Sequence, residues 1–111
     1  MSSLSTHVLD TALGKPAAGI RVALERAGDG DGETLGGGVT DADGRLRFPP
    51  VRDGLRDGEY RLRFAVGEYF ATTRRATFYS EILIAFRVAG DEHYHVPVLL
   101  SPFGYSTYRG S

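Results

Sequence analysis

Apolar and polar residues alternate with period two along much of this chain, the pattern of strands that lay one face on a core. From Ile20 to Arg26, Ile20, Val22 and Leu24 fall on one side and Arg21, Ala23 and Glu25 on the other. Thr6 to Thr11 reads as a first strand, closed by a turn at Leu13-Gly14-Lys15-Pro16. Gly28-Asp29-Gly30-Asp31-Gly32 is a polar, flexible loop. Thr34 to Thr40 is a third strand whose Gly36-Gly37-Gly38 marks a bulge or the close approach of another backbone. After a tight turn at Asp41-Ala42-Asp43-Gly44, Arg45 to Phe48 alternates with Leu46 and Phe48 inward, and Pro49-Pro50 stops it.

Beyond a polar loop, Glu59 to Phe64 gives the clearest alternation in the chain. Gly67 to Arg74 lacks period two and predicts a short helix. Ile82 to Val88 is apolar on both faces for most of its length, as a central strand would be. Ala89-Gly90-Asp91 turns the chain into a last strand from Glu92 to Leu100. An aromatic tail follows, Ser101 to Ser111, with Phe103, Tyr105 and Tyr108 where termini usually fray, so the tail must be held. Seven or eight short strands with at most one helix describe a β-sandwich. No repeat or linker divides residues 1–111, and the whole is read as one domain.

Composition narrows the chemistry. The chain has 13 basic and 14 acidic residues, a formal net charge of -1, and no long block of like charge. Nucleic acid and membrane surfaces, which need a concentrated basic face, are poor partners for it. The absence of cysteine excludes a disulfide scaffold, a zinc ribbon and thiol catalysis. Neither a signal peptide nor an apolar span is visible, and a cytoplasmic protein is expected.

Three histidines are present, His7, His93 and His95, all in predicted strands. His93 and His95 project from one face of the last strand, and Tyr94, Val96, Val98 and Leu100 from the other. If the latter line the core, the histidines stand on an outer sheet face. Pro97 shares that outer face and needs a position where no backbone donor is used. Arg45 and Arg47 share a face by the same rule. His-x-His on a strand suits zinc, but two ligands are too few, so a metal reading would require His7 as well. Asp41-x-Asp43-Gly44 lacks the later ligands of a calcium loop and reads as turn chemistry. No nucleophile elbow, Walker loop or dinucleotide fingerprint occurs.

Taken together, three stretches resemble the 5-hydroxyisourate hydrolases, the transthyretin-like enzymes of purine breakdown. They are Leu4-Ser5-Thr6-His7-Val8-Leu9-Asp10, Asp43-Gly44-Arg45, and the segment from His93-Tyr94-His95-Val96-Pro97 through Leu100-Ser101-Pro102 to Tyr108-Arg109-Gly110-Ser111. The resemblance covers essentially the whole chain, and the terminal Tyr-Arg-Gly-Ser is its most specific motif. Transthyretin itself is similar in fold but lacks that tetrapeptide and the histidine set. One departure is visible: Phe78-Tyr79-Ser80-Glu81 stands where relatives commonly carry a proline before the glutamate.

The resemblance implies an all-β, transthyretin-like two-sheet sandwich of about eight strands with one short helix, assembled as a homotetramer with active sites between dimers. It implies hydrolysis of 5-hydroxyisourate to 2-oxo-4-hydroxy-4-carboxy-5-ureidoimidazoline, on the route from urate to allantoin. His7, Arg45, His95 and Ser111 match the catalytic set, and His7, Arg45, Tyr108, Arg109, Gly110 and Ser111 the substrate-binding set. His95 or His7 would take the proton of the attacking water, Arg45 would clamp the ring oxygens, Ser111 would orient a histidine or the water, and Arg109 would anchor the tail or touch substrate. No cofactor or metal is needed in that scheme. Two other readings compete. One is a transthyretin-like carrier of an apolar ligand, against which the histidines and Arg45 speak. The other is a metal-dependent hydrolase ligated by His7, His93 and His95.

Overall fold

The structure is a computed structural model that describes residues 2–27, 33–48 and 55–111. The expected Gly28–Gly32 loop and the Pro49-Pro50 stop lie outside the described residues. In chain order the elements are β1 (Ser3–Asp10), β2 (Lys15–Pro16), β3 (Arg21–Arg26), β4 (Thr34–Val39), β5 (Arg45–Arg47), β6 (Gly58–Phe64), α1 (Val66–Thr72), β7 (Ile82–Val88), β8 (His93–Ser101) and β9 (Gly104–Thr107). They form two sheets and one short helix, the expected sandwich.

One sheet has the order β2-β1-β8-β9, with β5 also on β1; the other has the order β4-β3-β6-β7. β1 and β8 run parallel in register from Ser3↔His93 to Asp10↔Leu100. Because β8 occupies one side of β1 over its whole length, β2 and β5 share the other side. β5 pairs with Ser5 to His7, and β2 with Leu9 and Asp10.

Alternation decides what is buried. Leu4 and Val8 of β1, Val22 and Leu24 of β3, Tyr60, Leu62 and Phe64 of β6 and Tyr94, Val96, Val98 and Leu100 of β8 all lie in the core between the sheets. Each such aliphatic or phenyl side chain contributes about 1.5–3 kcal/mol relative to exposure. The helix adds Val66, Tyr69 and Phe70 to the same core. Its end is tied to β1 through the fully buried Asp10, which accepts from the Leu13 N–H, from Tyr69 Oη at 2.7 Å and from Arg75. Burial alone would raise the Asp10 pKa, but the bonds from Arg75, Tyr69 and Leu13 hold it below the usual carboxylate value. Tyr69, buried and bonded to that carboxylate, is pushed up to about 12.

Three expectations are refined. The first strand begins at Ser3, not Thr6, because Leu4 continues the inward set and Ser3 and Ser5 continue the outward one. The glycine run of β4 shows the close backbone approach suggested for it, while the bulge falls just before it, at Leu35. The β3–β4 register shifts between Leu24 and Glu25, and a Cβ on Gly37 would lie 2.8 Å from the Val22 carbonyl oxygen.

Ile82–Val88, read as a central strand, is instead the edge of its sheet. Its inward residues reach the core, but Leu83 on the outer face is 43% exposed. Apolar residues on both faces reflected a two-sided apolar strand, not a central position. The tail is held mainly by its backbone. β9 pairs with β8 from Val98↔Thr107 to Ser101↔Gly104, and Gly110 makes a further bridge to His95. Tyr105 packs edge-on against Tyr79 at 5.3 Å, but Phe103 and Tyr108 remain 71% and 59% exposed.

Candidate active site

The register of the first sheet places the sequence-derived residues on one outer face. Ser3, Ser5 and His7 of β1 alternate away from the core, as do His93, His95 and Pro97 of β8. Across the strands, Arg45, His7 and Pro97 form one row, Arg47, Ser5 and His95 a second, and Ser3 and His93 a third. Neighbouring strands lie about 4.8 Å apart, so the rows bring these side chains within reach of one another. These rows carry two guanidiniums and three imidazoles and no carboxylate.

The tight turn before β5 sets His7 and Arg45. Asp41 Oδ1 accepts the N–H groups of Asp43 and Arg45, both at 2.9 Å, so the turn is closed by its own aspartate. Gly44 has φ 74°, a conformation that favours glycine. The Asp43 carbonyl freed by this geometry accepts from His7 Nε2 at 2.9 Å. A carbonyl can only accept, so Nε2 carries a proton, which in the neutral tautomer leaves the Nδ1 lone pair presented.

His95 is fixed from two sides. Its Nδ1 is bonded to Ser5 Oγ at 2.7 Å, and its carbonyl accepts the Gly110 N–H at 2.9 Å. Nε2 has no hydrogen-bond partner among the described residues and is the nitrogen open to a ligand. Burial lowers the His95 pKa below the ordinary histidine value, helped by the electrostatic influence of neighbouring His93, Arg45 and His7. The ring is therefore neutral at pH 7. His93 differs: both its nitrogens are engaged, Nδ1 with Ser3 Oγ at 2.5 Å and Nε2 with Ser5 Oγ at 3.0 Å. The two imidazoles stack at 6.4 Å.

The terminal motif divides between two surroundings. Gly110 lies directly against His95, where a Cβ would come within 2.5 Å of His95 Cδ2 and 3.2 Å of Pro97 Cγ. Pro97 sits just past the β8–β9 ladder, and its carbonyl accepts the Thr107 hydroxyl at 2.8 Å, so its missing N–H costs nothing there. Arg109 turns toward the sandwich edge, 4.9 Å over the Tyr94 ring and 3.5 Å from a Glu92 carboxylate oxygen. Tyr108 and Arg109 line a cleft of 290 Å³ with His95, Tyr94 and Phe86. Ser111 is exposed at the outer end.

His7, Arg45, His95 and Gly110 are thus brought together, and Arg109 is held back by Tyr94 and Glu92. Among the described residues no group of three or more His, Asp or Glu is arranged to hold a metal ion. Serine hydroxyls take both His93 nitrogens, and His7, His95 and His93 sit in three different cross-strand rows. Ser3 and Ser5 were missed as site residues. The signal that would have found them is the same alternation, extended three residues upstream of Thr6.

The chain is similar to known proteins over nearly its full length. The description HIUase/Transthyretin family matches residues 4–110. A 5-hydroxyisourate hydrolase of Caulobacter vibrioides is 47% identical over 100% of both chains, and one of Salmonella dublin is 46% identical over 97% of this chain and 80% of its own. The solved structure of a Klebsiella pneumoniae 5-hydroxyisourate hydrolase superposes with a TM-score of 0.88 at 42% identity, covering 100% of both chains. Transthyretin from Sparus aurata superposes with a TM-score of 0.87 at 28% identity over 96% of this chain and 95% of its own.

Proposed function

Because the chain belongs to the HIUase/Transthyretin family, we propose that it hydrolyses 5-hydroxyisourate, opening the strained amide ring in purine catabolism. The single observation that carries this reading is His95 with a free Nε2 on the same face as His7, Arg45 and the Gly110 backbone. A ligand carrier has no use for such a base, and an apolar ligand prefers walls with few polar groups.

In the proposed reaction His95 Nε2 removes a proton from water as the oxygen attacks the ring carbonyl. A base positioned in this way contributes roughly 10²- to 10⁴-fold. Arg45 supports the charge that develops on the carbonyl oxygen through its planar donors. Collapse of the tetrahedral intermediate breaks the C–N bond, and the proton passes to the departing nitrogen. His7, with Nδ1 presented, orients the substrate or the water. Tyr108 and Ser111 close the outer end of the site, and Arg109 anchors the tail that carries them. No step requires a metal.

The face holding these groups is open in one protomer, where water screens charge. A homotetramer with sites between dimers would cover it and strengthen each electrostatic contact. The edge position of β7 among the described residues and the exposed Leu83 support such an assembly, which sedimentation would test. The family match supports a single domain over residues 1–111. The decisive experiment follows the ultraviolet absorbance of freshly generated 5-hydroxyisourate; decay no faster than the spontaneous rate sinks the enzymatic reading.

A further inference from the structure

The outer face holds more hydrogen-bonding imidazole than one general base uses. Ser3 Oγ, His93, Ser5 Oγ and His95 Nδ1 form an unbroken file with links of 2.5, 3.0 and 2.7 Å. We propose that Ser5 and His93 are a proton relay behind His95, with His93 receiving the charge that catalysis would otherwise leave on His95. The inference rests on the hydrolytic reading of the site.

Proton counting restricts the file to three states. Each hydroxyl has one proton and each neutral imidazole one N–H, while every link needs one proton and one lone pair. If Ser5 donates to His95 Nδ1, then His93 Nε2–H donates to Ser5, Ser3 donates to His93, and His95 carries its proton on Nε2. That state cannot act as base at Nε2. If instead His95 Nδ1–H donates to Ser5 and Ser5 donates to His93 Nε2, then His93 Nδ1–H donates to Ser3, and His95 Nε2 is a lone pair facing the site. In the third state Ser5 accepts from both His95 Nδ1–H and His93 Nε2–H, so His95 Nε2 is again a lone pair but His93 Nε2 is already protonated. Only the second state offers a base at His95 together with an acceptor at His93, and it is the one from which the relay runs.

From that state the transfer balances. Water gives a proton to His95 Nε2; the Nδ1 proton passes to Ser5 Oγ, and the Ser5 proton passes to His93 Nε2. The N–H bond at His95 Nδ1 and the O–H bond at Ser5 are broken as new ones form. His93 ends as the imidazolium, and His95 is neutral again with its proton on Nε2. The direction has a physical reason: His93 is exposed and its charge is hydrated, whereas His95 is partly covered by the tail, beside the guanidinium of Arg45. The same route run backwards returns the proton for the departing nitrogen.

The test uses the full chain and three variants, Ser5→Ala, Ser5→Thr and His93→Gln, with turnover of 5-hydroxyisourate and long-range ¹H–¹⁵N spectra of the imidazoles. In the unaltered chain His95 should show the Nδ1–H form, and in Ser5→Ala a shift toward Nε2–H. Ser5→Ala and His93→Gln should lose kcat by about tenfold or more with KM within about twofold, and Ser5→Thr, which keeps the hydroxyl, should recover most of the loss. Glutamine at 93 can hydrogen-bond to both serines but cannot take up a proton, so its loss separates relay from scaffolding. Unchanged kcat in Ser5→Ala or His93→Gln, or an Nε2–H tautomer in the unaltered chain, overturns the relay. Absence of turnover by the unaltered chain overturns the functional reading instead, and the tautomer then decides whether Ser5 sets the polarity.

Discussion

Replacing Gly110 by alanine inserts one methyl group between the tail and the imidazole of His95. The new Cβ would lie 2.5 Å from His95 Cδ2, 3.2 Å from His95 Cγ and 3.2 Å from Pro97 Cγ. Ordinary contact between carbons is about 3.5–4.0 Å, so tail and ring must separate by roughly 1 Å. Pro97 is wedged in a central strand and cannot yield, so either the Gly110–His95 bridge opens or the imidazole rotates off Ser5. A displacement of about 1 Å in a catalytic geometry costs on the order of 10²-fold in rate. The fold should notice little, because Gly110 is at the rim and packs no core side chain. The expected result is a kcat/KM near one hundredth of the unaltered value with a thermal midpoint within about 3 °C. Gly104→Ala is the matched control, since a Cβ there meets only Ser101 Oγ at 3.8 Å. Turnover of Gly110→Ala within threefold of the parent would refute the claim that the tail positions His95.

Other outcomes follow from the same geometry. Deleting Tyr108 to Ser111 should abolish turnover while circular dichroism still reports β structure, since these residues lie beyond β9. Asp10→Asn should lower stability by about 3 kcal/mol in urea titration, because it leaves Arg75 without its buried partner. Asp10 and Glu25 both have lowered pKa values in the fold, Asp10 through Arg75 and Tyr69 against burial and Glu25 through Arg63 and Arg61. Their stabilisation is therefore complete above the unfolded carboxylate pKa of about 4 and is lost as pH falls through the lower folded values, which denaturation midpoints between pH 5 and pH 2 would record. The acid limb of kcat/KM should have its midpoint below about 6.5, because burial and then His93, Arg45 and His7 favour neutral His95; a midpoint above 7 would count against His95 as the base.

The parts of this fold that were legible in the sequence are those governed by alternation. Val22 and Leu24, or Tyr94, Val96 and Val98, declare their inward face without any knowledge of neighbours, and the outward placement of His93 and His95 follows. What stayed hidden depends on pairing between distant segments. Nothing local to Ile82–Val88 says whether another strand lies beside it. Likewise the outward serines of β1 acquire meaning only when His93 and His95 arrive beside them, and a reading that started the strand at Thr6 passed over them. The terminal motif was recognisable as a word, but its division, with Gly110 against His95 and Arg109 against Tyr94, is set by packing.

The parallel pairing of β1 with β8 also governs when the site comes into being. Ser5 and His95, which share a hydrogen bond, are 90 positions apart in the chain. Closing a loop of that size is entropically more expensive than pairing β6 with β7 across the α1 connection, although the cost grows only logarithmically with length. Folds dominated by such distant pairings form in milliseconds to seconds, not microseconds. The second sheet can assemble from β3, β4, β6 and β7 alone, but the imidazoles meet their serines only when β8 docks on β1. Recovery of turnover during refolding should therefore trail the burial of Tyr60, and enzymatic activity becomes a clock for the final closure of the sandwich.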